Sequence, residues 1–408
     1  MQPAAAGPDL RRVRDLALAA LVLSEPPRPA PSPRSQGFFV RVLNFLAFTV
    51  LQSIAATGCL RPDESGDSFT VAISDRVACA SCTIVVGEPQ VLYTPTDSGI
   101  DLPLAVRQDS QGRYWVIPAG QVPLGFDSLG TLFQPLGRSG RGPGEYLRPL
   151  DVLAIPGDSL AVVDPGNRRL TIVDQRLEYS RSVAIPFSLS AIRVASWPDS
   201  VIVSARFPRD GEETALLHRL SIGQSEVGVA ESFHQGLHQA ALSHPVTKHV
   251  FTQISGGSWW SAWINLYDVT LREADGTILK TLERRPSWFP RVSPETYDWR
   301  NEPPPPHIAG LEIDSDGLLW VLVLVARSTW KEAWVEVSPN SPEAIARPEL
   351  LYSTIVEVID PTSNEIIAVQ PLDTYVVNSL PGPRIATFDQ DPGGETRISI
   401  RTLSVRGR

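Results

Sequence analysis

A glycine-rich, basic stretch at 137–149, GRSGRGPGEYLRP, has the composition of a phosphate-binding loop. It lacks the Gly-Lys-Ser/Thr that a P-loop requires, and no helical pattern follows that would present amide groups to an anion. Arg138, Arg141 and Arg148 carry the charge to bind an anion, but acidic neighbours can neutralise them. We therefore expect this stretch to be a structural connector.

Histidines are a second source of chemistry, because five of the six lie close together in the sequence. Two of them have the i, i+4 spacing that can place metal ligands on one helical face. Metal sites usually draw ligands from several elements, whereas this group is local, so we predict no metal and no cofactor. The group comprises His218, His234, His238, His244 and His249.

The three cysteines point to an oxidising compartment. Cys79 and Cys82 form a C-x-x-C pair without the following histidine of a haem site or the second pair of a structural zinc site. We expect a disulfide between them; free thiols and a metal site with distant histidines are the alternatives.

The third cysteine, Cys59, ends an apolar run that has Arg41 near its start and small residues at its end. This pattern is typical of a secretory signal, and the exit Ala56-Thr57-Gly58-Cys59 resembles the lipobox of bacterial lipoproteins, whose cysteine is lipidated. An uncleaved anchor and a buried helix are the alternatives. We divide this region into an extension at 1–39 that is disordered or follows a misplaced start, a signal peptide at 40–58, and a linker at 59–82.

From residue 83 onward, short apolar strands alternate with turns rich in Gly, Asp, Asn and Pro, which predicts an all-β fold. Two kinds of hairpin recur, and together they make a four-stranded unit. Spacings near those of propeller blades predict a six-bladed β-propeller of four-stranded antiparallel blades over 83–408. The ends of this range, 83–93 and 396–407, are expected to pair and close the ring. The first hairpins lie at 104–117, 150–163, 192–205 and 308–323, and the second at 124–137, 170–186, 269–285 and 356–372.

The stretch from Gly137 to Asp174 resembles an NHL repeat, with a glycine-proline connector before a strand pair and an Asp-x-Gly-Asn-x-Arg turn after it. The resemblance implies structural roles for Gly142, Gly144, Glu145, Pro149, Asp164, Asn167 and Arg169. The whole chain resembles the NHL-like, six-bladed propeller lipoproteins of bacteria, a likeness that implies a fold more than an activity.

A long insertion at 286–307 carries aromatic and basic residues of the kind that anchor interfaces, although such a loop can equally pack as a lid. We predict binding of a partner or ligand by Trp288, Phe289, Arg291, Trp299, Arg300 and His307.

These features favour a non-enzymatic module that binds a protein, peptide or saccharide at the cell envelope and meets the membrane only through its lipid. The alternative is a metal-dependent hydrolase or lyase with its site in the central channel. A net charge of −9 argues against a nucleic-acid partner. No catalytic residue can be assigned from spacing.

Overall fold

The structure is a computed structural model that describes residues 69–408 apart from 93–99, 101, 156, 158, 186–193, 198–199, 205–216, 224–226, 234–248, 253–256, 292–296, 299–300, 336–343, 346 and 391–394. Cys59 and the expected signal segment lie outside the described residues. The fold is all-β, with 57% strand and 3% helix. The all-β class expected from the sequence is therefore confirmed.

Three strands precede the repeating units: β1 (Phe69–Ala72), β2 (Thr83–Val86) and β3 (Gln90–Leu92). Sheet 1 comprises β4 (Pro103–Gln108), β5 (Tyr114–Pro118), β6 (Leu124–Phe126) and β7 (Leu132–Pro135). A short parallel pair, β8 (Arg138–Ser139) and β9 (Glu145–Tyr146), leads to sheet 2, which comprises β10 (Asp151–Ile155), β11 (Ser159–Asp164), β12 (Arg169–Val173) and β13 (Tyr179–Ala184). Sheet 3 comprises β14 (Val194–Trp197), β15 (Ser200–Ser204), β16 (Leu217–Ile222) and β17 (Val227–Phe233).

Sheet 4 comprises β18 (His249–Phe251), β19 (Ser258–Trp263), β20 (Asp268–Glu273) and β21 (Ile278–Glu283), with β1 added outside β21. Sheet 5 comprises β22 (His307–Ile313), β23 (Leu319–Ala326), β26 (Tyr352–Asp360) and β27 (Glu365–Leu372). Between β23 and β26 lie a 3₁₀ helix (Trp330–Ala333), the pair β24 (Trp334–Val335) and β25 (Ala344–Ile345), and helix α1 (Pro348–Leu351). Sheet 6 comprises β28 (Tyr375–Leu380), β29 (Arg384–Gln390) and β30 (Thr396–Arg406), joined by β2 and β3.

Aspartates at strand ends determine where many of the hairpins turn. Asp109 accepts the backbone N–H groups of Gln111 (3.0 Å) and Arg113 (2.9 Å), and the indole N–H of Trp115 (3.0 Å). Asp314 makes the equivalent contacts in sheet 5, including one with the indole of Trp320 (2.8 Å). A side chain that accepts amide groups two and four residues later stabilises a tight turn. Turns of the same kind begin at Asp127 and Asp174, and Asp360 accepts the amide groups two and three residues later.

Hydrophobic clusters join each sheet to the next around a ring. One cluster lies between each pair of consecutive sheets, and another lies between sheets 6 and 1. Burial on both faces of a sheet explains the nearly continuous apolar runs of β5, β11 and β23. Residues that share a cluster across neighbouring sheets include Trp115 and Val162, Leu153 and Leu220, Ile202 and Trp259, Val269 and Val321, Trp320 and Val376, and Phe388 and Val106.

This ring of sheets is a β-propeller, but the expected number of blades is not confirmed. Five of the sheets are counted as blades. Hydrogen-bonded sheets of four or more strands number six within the described residues. The structure establishes that the fold is an all-β propeller.

The segment 69–92, which we call the N-terminal belt, crosses the outside of three sheets. Its first strand, β1, runs parallel to β21, with Phe69 opposite Lys280. Val77 then bridges Ile366 on the outer strand of sheet 5. The expectation of a linker over 59–82 is therefore wrong from Phe69 onward, because the free outer strand edges of sheets 4 and 5 offer backbone partners.

The belt ends by closing the ring. β2 pairs antiparallel with β30 from Thr83 opposite Arg406 to Val86 opposite Leu403, and β3 pairs with the earlier part of the same strand. The expected pairing of 83–93 with 396–407 is confirmed for the residues that the structure describes. A disulfide joins Cys79 and Cys82 just before β2, and the hydroxyl of Ser81 donates to the carbonyl of Gly407 (3.1 Å).

The connector between sheets 1 and 2 interlocks with the turn between β11 and β12. The fully buried carboxylate of Asp164 accepts the backbone N–H groups of Leu147 (3.0 Å) and Arg148 (2.9 Å). The amide of Asn167 donates to the carbonyl of Gly140 (2.9 Å) and to Asp164 (2.7 Å). These polar side chains therefore serve the backbone of the connector.

Glu145 organises the other half of this connector. Its carboxylate accepts the N–H of Gly142 (2.6 Å) and the guanidinium of Arg138 (2.8 Å), and these contacts hold the pKa of Glu145 below its ordinary value. Arg169 donates to the carbonyl of Glu145 (2.8 Å). Gly144 has a φ of +68°, which favours glycine, and Pro149 is buried.

Replacing Asp164 with alanine is expected to lower the free energy of unfolding by about 3 kcal/mol, because two amide groups of the connector lose a charged acceptor in a buried place. Asp174 also accepts two amide groups, but in an exposed turn. Asp174→Ala is therefore the matched control, with a loss of about 1 kcal/mol or less. Urea denaturation measures both, and equal losses would contradict the interlock.

Candidate functional site

Two of the aromatic residues predicted to bind a partner, Trp288 and Phe289, pack in the core between sheets 4 and 5 or against it. Phe289 is only 5% exposed and belongs to the hydrophobic cluster that joins these sheets, and Trp288 packs against the same cluster. Their ring centroids lie 5.4 Å and 6.1 Å from that of Tyr267. The prediction of a docking surface at Trp288 and Phe289 is therefore corrected: burial of large apolar area here holds two sheets together.

The other predicted site residues that the structure describes contact different partners from those of Trp288 and Phe289. Arg291 is exposed, with its guanidinium 3.7 Å from the carboxylate of Asp268. His307 begins β22, and its ring packs edge-to-face on Tyr352 at 5.0 Å. Trp299 and Arg300 lie outside the described residues. The structure thus groups Trp288 with Phe289 and does not show the six residues as one site.

A buried ionic cluster lies under Trp288. Glu357 of β26 accepts short hydrogen bonds from Arg284 and from the hydroxyl of Tyr267, and all three side chains are buried. The guanidinium carbon of Arg284 is 5.2 Å from the ring centroid of Tyr267 and 5.7 Å from that of Trp288. Asp75 of the belt approaches Arg284 at 3.3 Å.

Burial raises the pKa of Glu357 above its ordinary value, although Arg284 and Tyr267 act in the opposite direction. Burial also raises the pKa of Tyr267. The polar groups of the cluster come from three parts of the fold: Glu357 from sheet 5, Arg284 and Tyr267 from the ends of strands in sheet 4, and Asp75 from the belt. We interpret the cluster as a structural joint between these parts.

A second polar cluster lies where the innermost strands of consecutive sheets approach each other. Asn378 of β28 pairs with the backbone of Val106 on β4, accepting its N–H (2.9 Å) and donating to its carbonyl (3.0 Å). Ser379 donates to the carbonyl of Leu311 on β22 (3.1 Å). Side chains of sheet 6 therefore satisfy backbone groups of the innermost strands on both sides, as buried backbone groups require.

Charged residues continue these links around the ring. Arg107 at the end of β4 binds Asp151 at the start of β10 with two hydrogen bonds of 2.8 Å. Arg384, the first residue of β29, donates to the side-chain oxygen of Gln108 (2.6 Å). We call the group formed by Glu312, Arg384 and Gln108 the inner turn site, because its members lie beside the turns that end three innermost strands.

Glu312 is the titratable group of the inner turn site. Its side chain is on β22, the residue is 8% exposed, and the backbone amides of Gly382 and Ile313 lie close to its carboxyl group. Burial raises its pKa to about 8, against the opposing effects of these two amides and of Arg384. A carboxyl group with a perturbed pKa beside an arginine is typical of binding and catalytic sites.

Sequence reasoning missed the inner turn site. A signal did exist, since Glu312 interrupts the apolar run IAGLEI and Arg107 interrupts LAVRQ. A charged residue within an otherwise buried strand needs a partner or a function. The partners lie in other repeats, however, and spacing along the chain does not reveal them.

Two of the five histidines that are close together in the sequence, His218 and His249, lie within the described residues. His218 and His249 are both buried, and the imidazole of His249 lies 3.9 Å from the ring centroid of Trp263. Burial and the charge of Arg272 lower the pKa of His249 well below its ordinary value. Among the described residues, no three His, Cys, Asp or Glu side chains are grouped as metal ligands. His234, His238 and His244 lie outside the described residues.

Comparisons with known proteins show a similarity of fold alone. No protein-family model and no curated protein sequence matches the chain. A member of the DUF4221 family from Bacteroides vulgatus has a similar structure, with 10% identity, a TM-score of 0.53, and coverage of 80% of this chain and 99% of that one. A Bacteroides fragilis protein that carries the description exported protein matches with 12% identity, a TM-score of 0.50, and coverage of 83% and 99%.

A streptogramin B lyase is a more distant structural match, with 8% identity, a TM-score of 0.42, and coverage of 79% of this chain and 98% of that one. No helix formed by the described residues has the length and apolar character needed to cross a bilayer. The class of protein that these observations define is a β-propeller.

The raised pKa of Glu312 predicts a pH dependence of folding stability. The folded protein binds this proton more tightly than the unfolded chain does, so the stability contributed is complete below about pH 4.5 and is lost as the pH rises through about 8. Over that interval the unfolding free energy of the native protein, relative to Glu312→Gln, falls by at most about 1.4 kcal/mol per pH unit. Urea denaturation from pH 4 to pH 9 measures the difference, and parallel curves for the two proteins would contradict it.

Proposed function

We propose that this chain is an exported, lipid-anchored propeller that binds a ligand or partner of the cell envelope without transforming it. The partner is a protein, peptide or saccharide, and the inner turn site is where it binds. The observation that supports this site is the guanidinium of Arg384, which is held in place by neutral acceptors and makes no ion pair within the described part of the chain. Trp299 and Arg300 remain predicted partner contacts.

Binding is favoured over catalysis because three buried carboxylates are already paired with arginines. Glu357 is bound to Arg284, Asp151 to Arg107, and Asp109 to Arg113. Groups tied in this way stabilise the ring and are not available as an acid or base. Glu312 is the observation that favours the second candidate, an enzyme at the same site, because a carboxyl group with a pKa near 8 can serve as a general acid.

Export and anchoring rest on the segment before the belt. We propose Cys59 as the lipidated first residue of the mature protein. Phe69 lies ten positions after it, which at about 3.5 Å per residue keeps the start of the belt within roughly 35 Å of the membrane. The Cys79–Cys82 disulfide suits an oxidising compartment. The mass of the mature N-terminus tests this, and an unmodified Cys59 behind an intact Met1 would contradict it.

We also propose that the ring has six blades and that the connector at 137–149 is NHL-like. Six hydrogen-bonded sheets within the described residues, with one apolar cluster between each consecutive pair, support the first proposal. The interlock of Asp164, Asn167 and Arg169 with the connector backbone supports the second.

Native mass spectrometry of the full chain extracted from bacterial envelopes tests binding at the inner turn site. We expect a bound species on the unaltered protein that is lost from Arg384→Gln, because this change removes the only unpaired charge of the site. Arg397→Gln is the matched control, since Arg397 is an exposed arginine on β30. The same bound species on Arg384→Gln would contradict the proposed site, and stoichiometric zinc or calcium with turnover of the bound species would favour the enzyme.

A further inference from the structure

We infer that the inner turn site recognises a carboxylate group of its ligand, with Arg384 as the charged donor and Glu312 as the residue that sets the pH range of binding. This inference rests on the proposed binding function and names the chemical class of the ligand.

The first step of the argument is the way Arg384 is held. Its Nε (2.8 Å) and Nη2 (2.6 Å) both donate to the carbonyl of Pro381, and Nη2 also donates to Gln108 (2.6 Å). Both acceptors are neutral, so they orient the guanidinium without cancelling its charge. The remaining nitrogen, Nη1, makes no hydrogen bond to the described residues.

Three other partly or fully buried arginines are held by carboxylates. Arg107, Arg113 and Arg284 each have a carboxylate within ion-pair distance. Arg272 resembles Arg384 in having neutral acceptors, the hydroxyl of Ser261 (3.0 Å) and the carbonyl of Gly276 (2.8 Å), but it is almost completely buried. A guanidinium that is oriented by the protein but lacks a carboxylate has both the charge and the free edge to bind one from outside.

The second step is the reason that Glu312 does not neutralise Arg384. Its carboxyl group lies close to the backbone amides of Gly382 and Ile313 and is shielded from water. Burial raises its pKa to about 8, so it is mostly protonated at pH 7. On the neighbouring strands, Trp320 of β23 and Ser379 of β28 do not titrate. The nearby carboxylate of Asp314 is occupied by its own turn and by the indole of Trp320. The inner turn site therefore carries the single positive charge of Arg384 at pH 7.

A single positive charge with one free donor edge suits a monoanion. A carboxylate has one charge and two oxygens, whereas a phosphate dianion usually requires more than one cation or a set of amide groups. When Glu312 ionises, its charge compensates that of Arg384 and repels the incoming anion. Binding of a carboxylate is therefore expected to weaken as the pH rises through about 8.

The test uses acetate as the probe, followed by NMR shifts of the Arg384 Nε–H and the Gly382 amide in the full chain. We expect saturable binding at pH 6.5 that is weaker by about tenfold at pH 9.5. Arg384→Gln should abolish the shifts, whereas Arg397→Gln should leave them unchanged. Glu312→Gln should bind acetate with the same affinity at both pH values, which keeps the test decisive if Arg384→Gln fails to fold.

The inference would be overturned if neutral acetamide bound with the same affinity as acetate. It would also be overturned if the unaltered protein bound acetate equally tightly at pH 6.5 and pH 9.5. A third contradicting result is an acetate affinity that depends on pH in Glu312→Gln as it does in the unaltered protein. Tighter binding of inorganic phosphate than of acetate would likewise overturn the carboxylate class. These failures differ from failure of the proposed function, which would appear as an envelope-derived species retained by Arg384→Gln.

Discussion

Pairing of the N-terminal belt with β30 is the interaction on which the rest of the propeller depends. β30 lies between β29 on one side and β2 with β3 on the other, so sheet 6 is built from both ends of the described chain. Without this pairing, sheet 6 would expose a long strand edge, and the cluster that joins it to sheet 1 would lose Leu92, Ile398 and Ile400 as a packed group. Closure costs the entropy of joining distant segments, which the shared apolar burial offsets.

Closure also creates the conditions for a site. Once the innermost strands are brought together, their backbone groups need partners, and Asn378 and Ser379 provide them across sheet boundaries. Charged side chains are used sparingly, and most are paired, as Arg107 is with Asp151. Arg384 and the almost completely buried Arg272 have neutral acceptors instead. The arrangement at Arg384, which is only partly buried, is the physical basis of the functional proposal.

Much of the fold could be predicted from the sequence because its signals are local. An aspartate followed by glycine and a second apolar strand predicts a hairpin, and the turns at Asp109 and Asp314 form in this way. The polar residues of 137–169 predict the connector interlock for the same reason. The strand at Phe69–Ala72 was missed because its partner, β21, lies about two hundred residues away and gives no local signal.

The site was harder to predict because composition does not specify exposure. Trp288 and Phe289 look like interface anchors in the sequence, but the same apolar area is worth as much between two sheets of the core. Glu312, Gln108 and Arg384 come from three different repeats, and only closure of the ring brings them together. Reasoning from one sequence can identify a charge within an apolar strand, but it cannot identify the partner.

Hydrogen exchange of the backbone amides in β2 and β30 is the most direct test of the closed ring. If closure is integral to the fold, the hydrogen-bonded amides of 83–86 and 403–406 exchange only on global unfolding. Their free energy of opening and its dependence on denaturant then equal those of the core strand β11. Exchange of these amides through a local opening of much lower free energy, while β11 remains protected, would contradict the account.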